Sequence, residues 1–379
     1  MMGYRLSYWE KTAFFEDVDI CIIGGGLVGL HAAISIKLLA PETDVLILER
    51  GFLPYGASTR NAGFACFGSM TELLDDLSRE SESDVFARVE LRWRGLVRMR
   101  ELLGDDVICY EPLGGYELFT PEESLMYRLC SDRIQWFNAR MQEITGVPET
   151  YKHADHAIGP FGFAGTQHLI LNSLEGQLDT GMMMTALEHK ARSLGVRIIS
   201  GINIEAVEGG SAPEVHTDKG FPIRPDKILV TVNGFARKLL PGIDVTPARA
   251  QVLITEPVEG LKFRGSFHYD KGYYYFRNVG NRILFGGGRN LDFEGESTTE
   301  FGLTDTIQQK LDTLLKEVIL PSTPFKTDMR WSGIMGMGPD RKPVVREIEK
   351  NLYCAVRMGG MGVAIGSMIG EQAAELVGL

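Results

Sequence analysis

The chain has 379 residues, of which 44% are hydrophobic and 23% are charged. This length and composition predict a globular protein with a large core, in two domains rather than one. The formal net charge of −11 argues against a nucleic acid or an anionic membrane as partner. The five cysteines are scattered and form no CxxC pair, so neither a zinc site nor a disulfide framework is indicated. We expect a cytoplasmic protein without a metal.

The segment 20–36 is almost uncharged and resembles a signal peptide or a membrane span. An acidic stretch, "FEDVD", precedes it, whereas a signal peptide begins with basic residues. Three consecutive glycines at its centre oppose a membrane helix. We therefore expect no transmembrane segment.

The first elements in chain order form a strand–turn–helix–strand unit. Val18–Ile23 is predicted to be a buried strand, "GGGLVG" interrupts it, and Leu27–Leu39 has the apolar spacing of a helix. Asp44–Leu48 is a second buried strand that ends in Glu49. This order within about 30 residues is typical of a βαβ unit.

The remaining chain alternates between helical and strand-like patterns. Further helices are predicted over Ser83–Leu103, Pro121–Thr145, Thr180–Leu194, Thr304–Val318 and Met361–Val377. Strands are predicted in "VRIIS", "INIEAV", "KILVTVNG", "RAQVLITEP", "GYYYFRN", "RILFGGG", "MRWSGI", "KPVVREI" and "LYCAVRM". Because the opening βαβ unit is separated from the last strand and helix, we expect a discontinuous Rossmann-type domain with an inserted second domain.

The turn after the first strand carries a dinucleotide fingerprint. Gly24, Gly26 and Gly29 form G-x-G-x-x-G, which allows a tight turn, close approach of a pyrophosphate, and close packing of helix on strand. The N-terminus of the helix then faces the phosphates. Glu49 lies 20 residues after Gly29 at the end of the second strand, where a carboxylate binds ribose hydroxyls. The fingerprint alone leaves NAD and FAD open, while Glu49 disfavours NADP.

Three further stretches point to one family. "GASTRNAGFACFGS" follows the acid, "TVNGFARKLLPG" lies mid-chain, and "LYCAVRMGGMGVAIGSMIGEQAAEL" ends the sequence. With the fingerprint, they resemble the FAD-dependent amine and amino-acid oxidoreductases of the D-amino-acid oxidase superfamily, which includes glycine oxidase, sarcosine oxidase and γ-glutamylputrescine oxidase. The early "LSYWEK" resembles the γ-glutamylputrescine oxidase-like branch.

The resemblance implies a fold and a division of the chain. It implies an α/β fold (α+β overall) with a discontinuous Rossmann-type FAD-binding domain and an inserted substrate domain of antiparallel sheet and helices. The predicted FAD-binding domain spans 1–80, 150–240 and 326–379. The predicted substrate domain spans 81–149 and 241–325.

The resemblance also implies which residues hold FAD in an extended pose. The glycine turn would hold the pyrophosphate, Glu49 the ribose, and Arg50 and Ile204 the adenine. The loop 56–69 would run beside the pyrophosphate and the flavin N5 edge, and the last glycines would bring a helix N-terminus to the flavin N1–C2=O. The complete predicted set is Gly24, Gly25, Gly26, Leu27, Val28, Gly29, Glu49, Arg50, Gly56, Ala57, Ser58, Arg60, Asn61, Ala62, Gly63, Phe64, Ile204, Asn233, Gly234, Gly333, Arg357, Gly359, Gly360, Met361, Gly362 and Val363.

Several members of this family bind flavin covalently through a cysteine or histidine. Cys354 lies within a strand, which is the wrong place, and Cys66 is more typical of a small buried hydrophobic residue. We therefore predict noncovalent FAD.

The aromatic stretch "GYYYFRN" is the predicted substrate side. Alternation places Tyr273 and Tyr275 on one face and Tyr274 and Phe276 on the other. One face would cover the substrate side of the flavin, although ordinary strand packing explains the pattern equally well. Arg277 would bind a substrate carboxylate or a neighbouring protein carboxylate.

One family feature is missing. Glycine and D-amino-acid oxidases carry an arginine for the substrate carboxylate in an L-R-P-G segment, and Met335 stands at that place in "GIMGMGPDRKP". Either Arg277, Arg330 or Arg357 replaces it, or the substrate is not a simple α-amino acid. We favour the second reading and a larger or cationic amine, with oxygen or another carrier as electron acceptor.

Three other functions stay open from the sequence. A flavoenzyme of the same fold that oxidises a 2-hydroxy acid needs an Arg and a His near the flavin, for which His168 and His268 are candidates. An NAD-dependent dehydrogenase is disfavoured by the terminal glycine turn. A flavin-binding protein without turnover of its own is the third. The sequence does not indicate the oligomeric state.

Overall fold

The computed structural model describes residues 4–378. The helices are α1 (Tyr8–Glu10), α2 (Leu27–Leu39), α3 (Met70–Leu77), α4 (Glu82–Leu103), α5 (Ser124–Thr145), α6 (Ile158–Phe161), α7 (Thr180–Ser193), α8 (Asp305–Leu314) and α9 (Gly362–Leu376). The strands are β1 (Ile20–Ile23), β2 (Val45–Glu49), β3 (Phe64–Ala65), β4 (Gly115–Phe119), β5 (Tyr151–His153), β6 (His168–Asn172), β7 (Gly176–Gln177), β8 (Arg197–Ser200), β9 (Ile204–Glu208), β10 (Glu214–Thr217), β11 (Pro222–Ile223), β12 (Lys227–Val230), β13 (Thr246–Thr255), β14 (Ser266–Tyr269), β15 (Tyr274–Val279), β16 (Arg282–Gly287), β17 (Thr327–Met337), β18 (Val344–Glu349) and β19 (Leu352–Val356). The predicted helices and strands are all present, with ends that differ by a few residues.

Local sequence explains where the long helices begin and end. The Ser81 side chain accepts a hydrogen bond from the Asp84 amide at the start of α4, and Asp179 does the same for Met182 at the start of α7. Gly104 and Gly146 end α4 and α5 with positive φ angles of 87° and 77°.

The first sheet has six strands in the order β18-β19-β12-β1-β2-β8. All its pairings are parallel except that between β18 and β19. Every residue of β1, β2 and β19 is buried, as expected for a parallel sheet covered on both faces. This arrangement confirms the predicted α/β class and its Rossmann-type sheet.

Helices α2 and α9 pack closely together beside this sheet. A Cβ atom at Gly370 of α9 would lie 2.5 Å from His31 Cβ and 2.7 Å from the Ala32 amide nitrogen of α2. Helix α4 crosses α9 equally closely, because a Cβ at Gly95 would lie 2.0 Å from the Ala364 carbonyl oxygen. These glycines are therefore required for the helices to approach one another.

The second sheet has eight strands in the order β17-β13-β16-β15-β14-β4-β6-β5. Its pairings are antiparallel except that between β14 and β4. One face packs against α8 through a core that contains Tyr274, Phe276, Phe267 and Phe285. The opposite face is therefore available to a site.

The sheets divide the chain differently from the predicted domains. Strands β5, β6 and β17 belong to the eight-stranded sheet, although 150–240 and 326–379 were assigned to the FAD-binding domain. Helix α4, assigned to the substrate domain, packs on α9. The apolar pattern of a strand is the same in either sheet, and only pairing decides its membership, as between β17 and β13. Residues 1–3 and 379 of the predicted division lie outside the described residues.

Within residues 4–378, no helix is long and apolar enough to cross a membrane. The same residues contain no cluster of three or more His, Cys, Asp or Glu side chains suited to a metal ion.

Candidate active site

The glycine turn between β1 and α2 depends on its first and third glycines. Gly24 has a φ of +111°, which favours glycine. A Cβ at Gly29 would lie 2.1 Å from the Gly24 carbonyl oxygen and 2.8 Å from Thr231 Oγ1. Larger residues at either place would push the helix away from the strand, as the fingerprint predicts.

The start of α2 is held by two side chains from outside the turn. The Leu27 amide donates to Ser58 Oγ at 2.9 Å, and the Gly25 amide donates to Glu49 Oε2 at 3.0 Å. Glu49 Oε1 accepts from the Gly51 amide at 2.9 Å. Because backbone donors compensate both oxygens, the buried Glu49 carboxylate is stable without a cation. It also fixes the geometry of the turn.

A cleft opens over this turn, which we call the main cleft. It holds about 770 Å³ of empty space, part of it open to solvent, and continues along the ends of β2 and β12. Its lining includes the predicted residues Gly24, Gly26, Glu49, Arg50, Gly56, Ala57, Ser58, Ile204 and Asn233. The Arg50 guanidinium lies 3.8 Å from the centroid of the Phe235 ring at the same cleft, and burial lowers the pKa of Arg50. Leu27 and Val28 lie in the first turn of α2.

The loop 56–69 is folded by its own polar side chains. The Asn61 amide nitrogen donates to the Ser58 carbonyl at 2.7 Å, and Asn61 Oδ1 accepts from the Gly63 amide at 2.9 Å. Gly63 has a φ of +69°, and a Cβ there would lie 2.4 Å from the Leu178 carbonyl oxygen. Asn61, a member of the predicted FAD-binding set, therefore supports the conformation of this loop. Ala62 and Phe64 flank Gly63 in the same loop.

The loop also docks onto β17. Arg60 Nη1 donates to the Ser332 carbonyl at 2.9 Å, and Trp331 Nε1 donates to the Arg60 carbonyl at 3.0 Å. A Cβ at Gly333 would lie 3.2 Å from Arg60 Cβ. The Arg60 guanidinium lies over the Tyr55 ring, 4.5 Å from its centroid. The loop is thus fixed between the main cleft and the eight-stranded sheet.

The terminal glycine turn is joined to the middle of the chain by Asn233. Its Oδ1 accepts from the amides of Arg357 and Met358, each at 3.1 Å. Gly359 and Gly360 follow with φ angles of +59° and +82°.

Helix α9 then begins without a side-chain cap at its N-cap residue Met361, so the amides of Gly362 and Val363 are in the turn where helices leave donors free. Gly234 packs tightly on Met335, whose carbonyl oxygen would lie 2.5 Å from a Cβ at Gly234.

The three candidate arginines for a substrate carboxylate all have protein partners. Arg277 is 6% exposed and donates to the carbonyls of Ala62, Leu178 and Asn278. Arg330 pairs with Asp312 at 2.7 Å. Arg357 Nη2 pairs with Asp340 at 2.7 Å, and its Nε donates to the Lys342 carbonyl at 2.8 Å. Arg277 therefore binds backbone oxygens rather than a carboxylate of either predicted kind, and burial lowers its pKa to about 10.

The eight-stranded sheet presents a row of side chains on the face opposite α8. Cross-strand partners Tyr275, His268 and Glu117 lie side by side on β15, β14 and β4. The Phe64 ring of the loop lies 5.4 Å from the His268 ring and 5.5 Å from the Tyr275 ring, measured between centroids. Tyr275 thus meets the loop 56–69. Tyr273 precedes β15, is 40% exposed and packs near Phe293, so the structure does not bring it to this row.

The two histidines singled out from the sequence lie in different places. His268 adjoins Phe64, and burial lowers its pKa to about 4, so its imidazole is neutral. His168 stacks on Tyr127 with a 3.6 Å centroid distance and bonds to Asp155 at 2.7 Å. His168 is therefore outside the site.

Sequence reasoning missed a second, smaller cavity beside the row, with room for about one water molecule. We call it the carboxylate pocket; its lining comprises Ser69, Met70, Gly115, Tyr116, Glu117, Tyr151, Ile170, Asn172, Glu175 and His268. A Cβ at Gly115 would lie 2.0 Å from Glu175 Oε2, so this glycine makes room for the carboxylate. The sequence could not predict this pocket because its acidic residues lie far apart in the chain and form no motif. Only the pairing of the strands brings them together.

The residues present fit an extended dinucleotide. The glycine turn, the acid after β2 and the uncapped N-terminus of α9 are the donors and acceptors that such a cofactor requires. The space beside Gly359 is open, since a Cβ there would meet nothing within 4 Å. A Cβ at Gly26 would meet only the Ser58 side chain, with its Oγ at 2.8 Å. The fold and site thus define a dinucleotide-dependent oxidoreductase with a second sheet beside its cofactor loop.

The chain belongs to the family of FAD-dependent oxidoreductases, because the family model described as "DAO: FAD dependent oxidoreductase" matches residues 19–376. FAD is its cofactor, as the resemblance implied. The match confirms the predicted family and enzyme class.

Similar proteins have several activities by name. A bifunctional protein ThiO/ThiG of Synechocystis sp. is 25% identical over 62% of this chain, which spans only 32% of that protein. A gamma-glutamylputrescine oxidoreductase of Escherichia coli is 24% identical over 99% of this chain and 88% of its own. The structure of glycine oxidase from Bacillus cereus superposes with a TM-score of 0.74 at 18% identity, covering 95% of this chain and 94% of that one.

Proposed function

We propose that this chain oxidises a C–N bond of a small amine or amino-acid-like substrate. The cofactor loop carries the proposal, because Phe64 of that loop packs directly against Tyr275 and His268 of the substrate-facing sheet. An extended FAD held by the main cleft and the loop would meet its substrate there. The names of the similar proteins, which act on amines and amino acids, support the same chemistry.

The main cleft and the loop 56–69 would hold FAD, which would supply a hydride acceptor for the carbon beside a neutral amine; hydrolysis of the imine would then give a carbonyl compound and ammonia or an amine. The chain itself orients the substrate and excludes water. Tyr275 is a phenol whose pKa burial raises to about 12, so it stays protonated and can donate a hydrogen bond. Met335 lies beside the terminal glycine turn, with Sδ 3.4 Å from the place of a Cβ at Gly360.

We further propose that the FAD is noncovalent. Cys354 is completely buried in β19, and burial raises the pKa of the Cys66 thiol well above its usual value. A protonated thiol is a poor nucleophile. Acid precipitation tests this point: flavin that stays with the protein pellet would contradict it.

The function is tested by anaerobic mixing of the holoenzyme with amines, amino acids and 2-hydroxy acids. Loss of the oxidised-flavin absorbance with amines supports the proposal. Loss with 2-hydroxy acids alone overturns it in favour of a hydroxy-acid oxidoreductase. If none of these compounds lowers the oxidised-flavin absorbance, the proposal is overturned in favour of a flavin-binding protein without turnover of its own. Repeating the reaction with oxygen and with artificial carriers identifies the electron acceptor.

A further inference from the structure

We propose that the carboxylate pocket binds a protonated amine of the substrate, so that the substrates carry a basic group besides the amine that is oxidised. The inference rests on the proposed function and names the substrate class for that same site. Glu117, Glu175 and His268 would recognise this protonated amine.

The first observation is that the pocket holds two carboxyl groups without a cation. Glu117 is 4% exposed, and its two oxygens accept hydrogen bonds from the amide and hydroxyl of Thr71, with the Ser69 hydroxyl also beside the carboxyl group. Glu175 is 1% exposed, and its Oε1 accepts from the amides of Phe67 and Gly68 at 2.9 and 3.1 Å. Among the described residues neither has a Lys or Arg nitrogen within ion-pair distance. A buried carboxylate is normally paired with a cation.

The second observation is that other polar atoms in the pocket have no partner. Asn172 is 3% exposed and lines the cavity, yet its Nδ2 makes no hydrogen bond within the described chain. His268 Nε2 is also unpartnered, and it lies 3.9 Å from Glu175 Oε2. Buried polar atoms require partners, so a polar group or water belongs in this cavity.

The third observation is that the acceptors match an ammonium group. An alkylammonium has three N–H donors and no acceptor. The Glu117 carboxyl and the free Oε2 of Glu175 are acceptors, and Nε2 of a neutral His268 is a third when its proton is on Nδ1. The free space among them is the size of one water molecule, which is also about the size of an ammonium group. Asn172 Nδ2 remains to donate to a carboxylate oxygen or to water. A carboxylate-bearing group would be repelled at the same place.

The position of the pocket suits a tail of the substrate. Glu117 and Tyr275 lie on the same face of the sheet, separated by β14. Two strand spacings correspond to about 10 Å. A substrate whose reacting amine lies beside Tyr275 would need an aliphatic spacer of about this length to place its second amine at the pocket.

The charges around the pocket add a pH dependence. Burial raises the pKa of Glu117 and of Glu175 to about 7 each. The other titratable or charged groups packed around them are Cys66, Glu72, Arg92, Tyr110, Tyr116, Glu123, Cys130, Tyr151 and His268. Glu72 is paired with Arg92 and Arg341. A bound cation favours the ionised carboxylates, so its affinity should rise as pH increases toward about 7 and should level off above it, with release of protons on binding.

The test compares α,ω-diamines with n-alkylamines of matched length, using the FAD-loaded protein. Dissociation constants are measured from the perturbation of the flavin spectrum under anaerobic conditions, and proton release is measured by calorimetry in buffers of different ionisation enthalpy. We expect the best diamine to bind roughly tenfold tighter than its matched monoamine, or more. Glu117→Gln and Glu175→Gln should abolish this advantage. Glu122→Gln, an equal charge change on an exposed residue, should retain it.

The outcomes separate the two proposals. Equal affinity of diamines and monoamines in the wild type would overturn the assignment of the pocket while leaving amine oxidation intact, as would a diamine advantage that survives both Gln variants. A protein whose flavin no amine perturbs or reduces would overturn the proposed function, and the pocket assignment with it. Glu175→Gln keeps an acceptor for the Phe67 and Gly68 amides, so a variant with normal FAD content keeps the comparison valid if Glu117→Gln fails to fold.

Discussion

The main cleft and the carboxylate pocket differ in how the oxygens of their buried carboxylates are hydrogen-bonded. In the main cleft, both oxygens of Glu49 accept backbone hydrogen bonds, from Gly25 and Gly51. In the pocket, both hydrogen bonds to Glu175 reach its Oε1, and its Oε2 accepts none from the described residues. Local backbone therefore completes the first carboxylate, whereas the second is left for a ligand. This difference is the one that the proposed binding of a cation in the pocket would exploit.

The largest expected effect is the loss of FAD binding at the main cleft. Gly63→Val should give a folded protein without bound flavin, because a Cβ there meets the Leu178 carbonyl at 2.4 Å and Arg277 Nη2 at 2.7 Å in a left-handed backbone. Visible absorbance per protein measures the loss. Gly56→Ala is the matched control, since its Cβ would approach only Phe235, at 3.9 Å. A Gly63→Val protein that purifies fully yellow would show that this loop is placed wrongly.

The next effect concerns the carboxylate pocket, where Glu117 should make the free energy of unfolding depend on pH. The folded-state pKa of Glu117 is raised to about 7 by burial, so the unfolded chain binds fewer protons between about pH 4.5 and 7. Stability from this group is complete below about pH 4.5 and is lost as pH rises through about 7, by on the order of 3 kcal/mol. Denaturant unfolding of the wild type should therefore depend more steeply on pH in that window than unfolding of Glu117→Gln. Parallel curves for the two proteins, with Glu122→Gln as reference, would contradict an unpaired Glu117.

A smaller effect concerns the arginine that links the loop to the sheet. Arg277→Lys should weaken FAD binding by roughly tenfold, because one ammonium cannot replace the fork that holds the Ala62 and Leu178 carbonyls together. Titration of the apoprotein with FAD measures this. Arg282→Lys, at a partly exposed pair with Asp328, should change little. Equal affinities of the Arg277→Lys protein and the wild type would remove Arg277 from the support of the loop.

The smallest effect concerns the start of α2. Ser58→Ala removes the acceptor of the Leu27 amide, which corresponds to about 1 kcal/mol and a few-fold weaker FAD binding. Ser83→Ala, on the exposed start of α4, is the control. Should FAD affinity fall far more than this, Ser58 would be contacting the cofactor directly rather than the helix alone.

The sequence predicted those parts of the molecule that short, contiguous stretches encode. The βαβ unit, the glycine turn and the acid after β2 lie within about 30 residues, and their physics is local. The same holds for the terminal glycine turn, whose positive φ angles at Gly359 and Gly360 favour glycine.

The parts that the sequence did not predict depend on pairing between distant strands. Glu117 and His268 are neighbours only because β4 pairs with β14, across about 150 residues of chain. Arg277 also illustrates this point: its position on a strand was predicted, but its partners in the loop and before α7 were not. The membership of β17 in the eight-stranded sheet was missed for the same reason.

The tight contact of α2 with α9 has a consequence for cofactor choice. Because Gly370 lets the two helices touch, the separation between their N-termini cannot vary freely. The two helices therefore hold two positively polarised N-termini at a fixed separation, one beside the glycine turn and one beside the terminal glycines. The flavin and its pyrophosphate would span these two ends, whereas Glu49 and Arg50 lie in the cleft where the adenosine half would bind. FMN lacks that half, so the helix pair would fix the position of the flavin, and the far end of the cleft would select FAD.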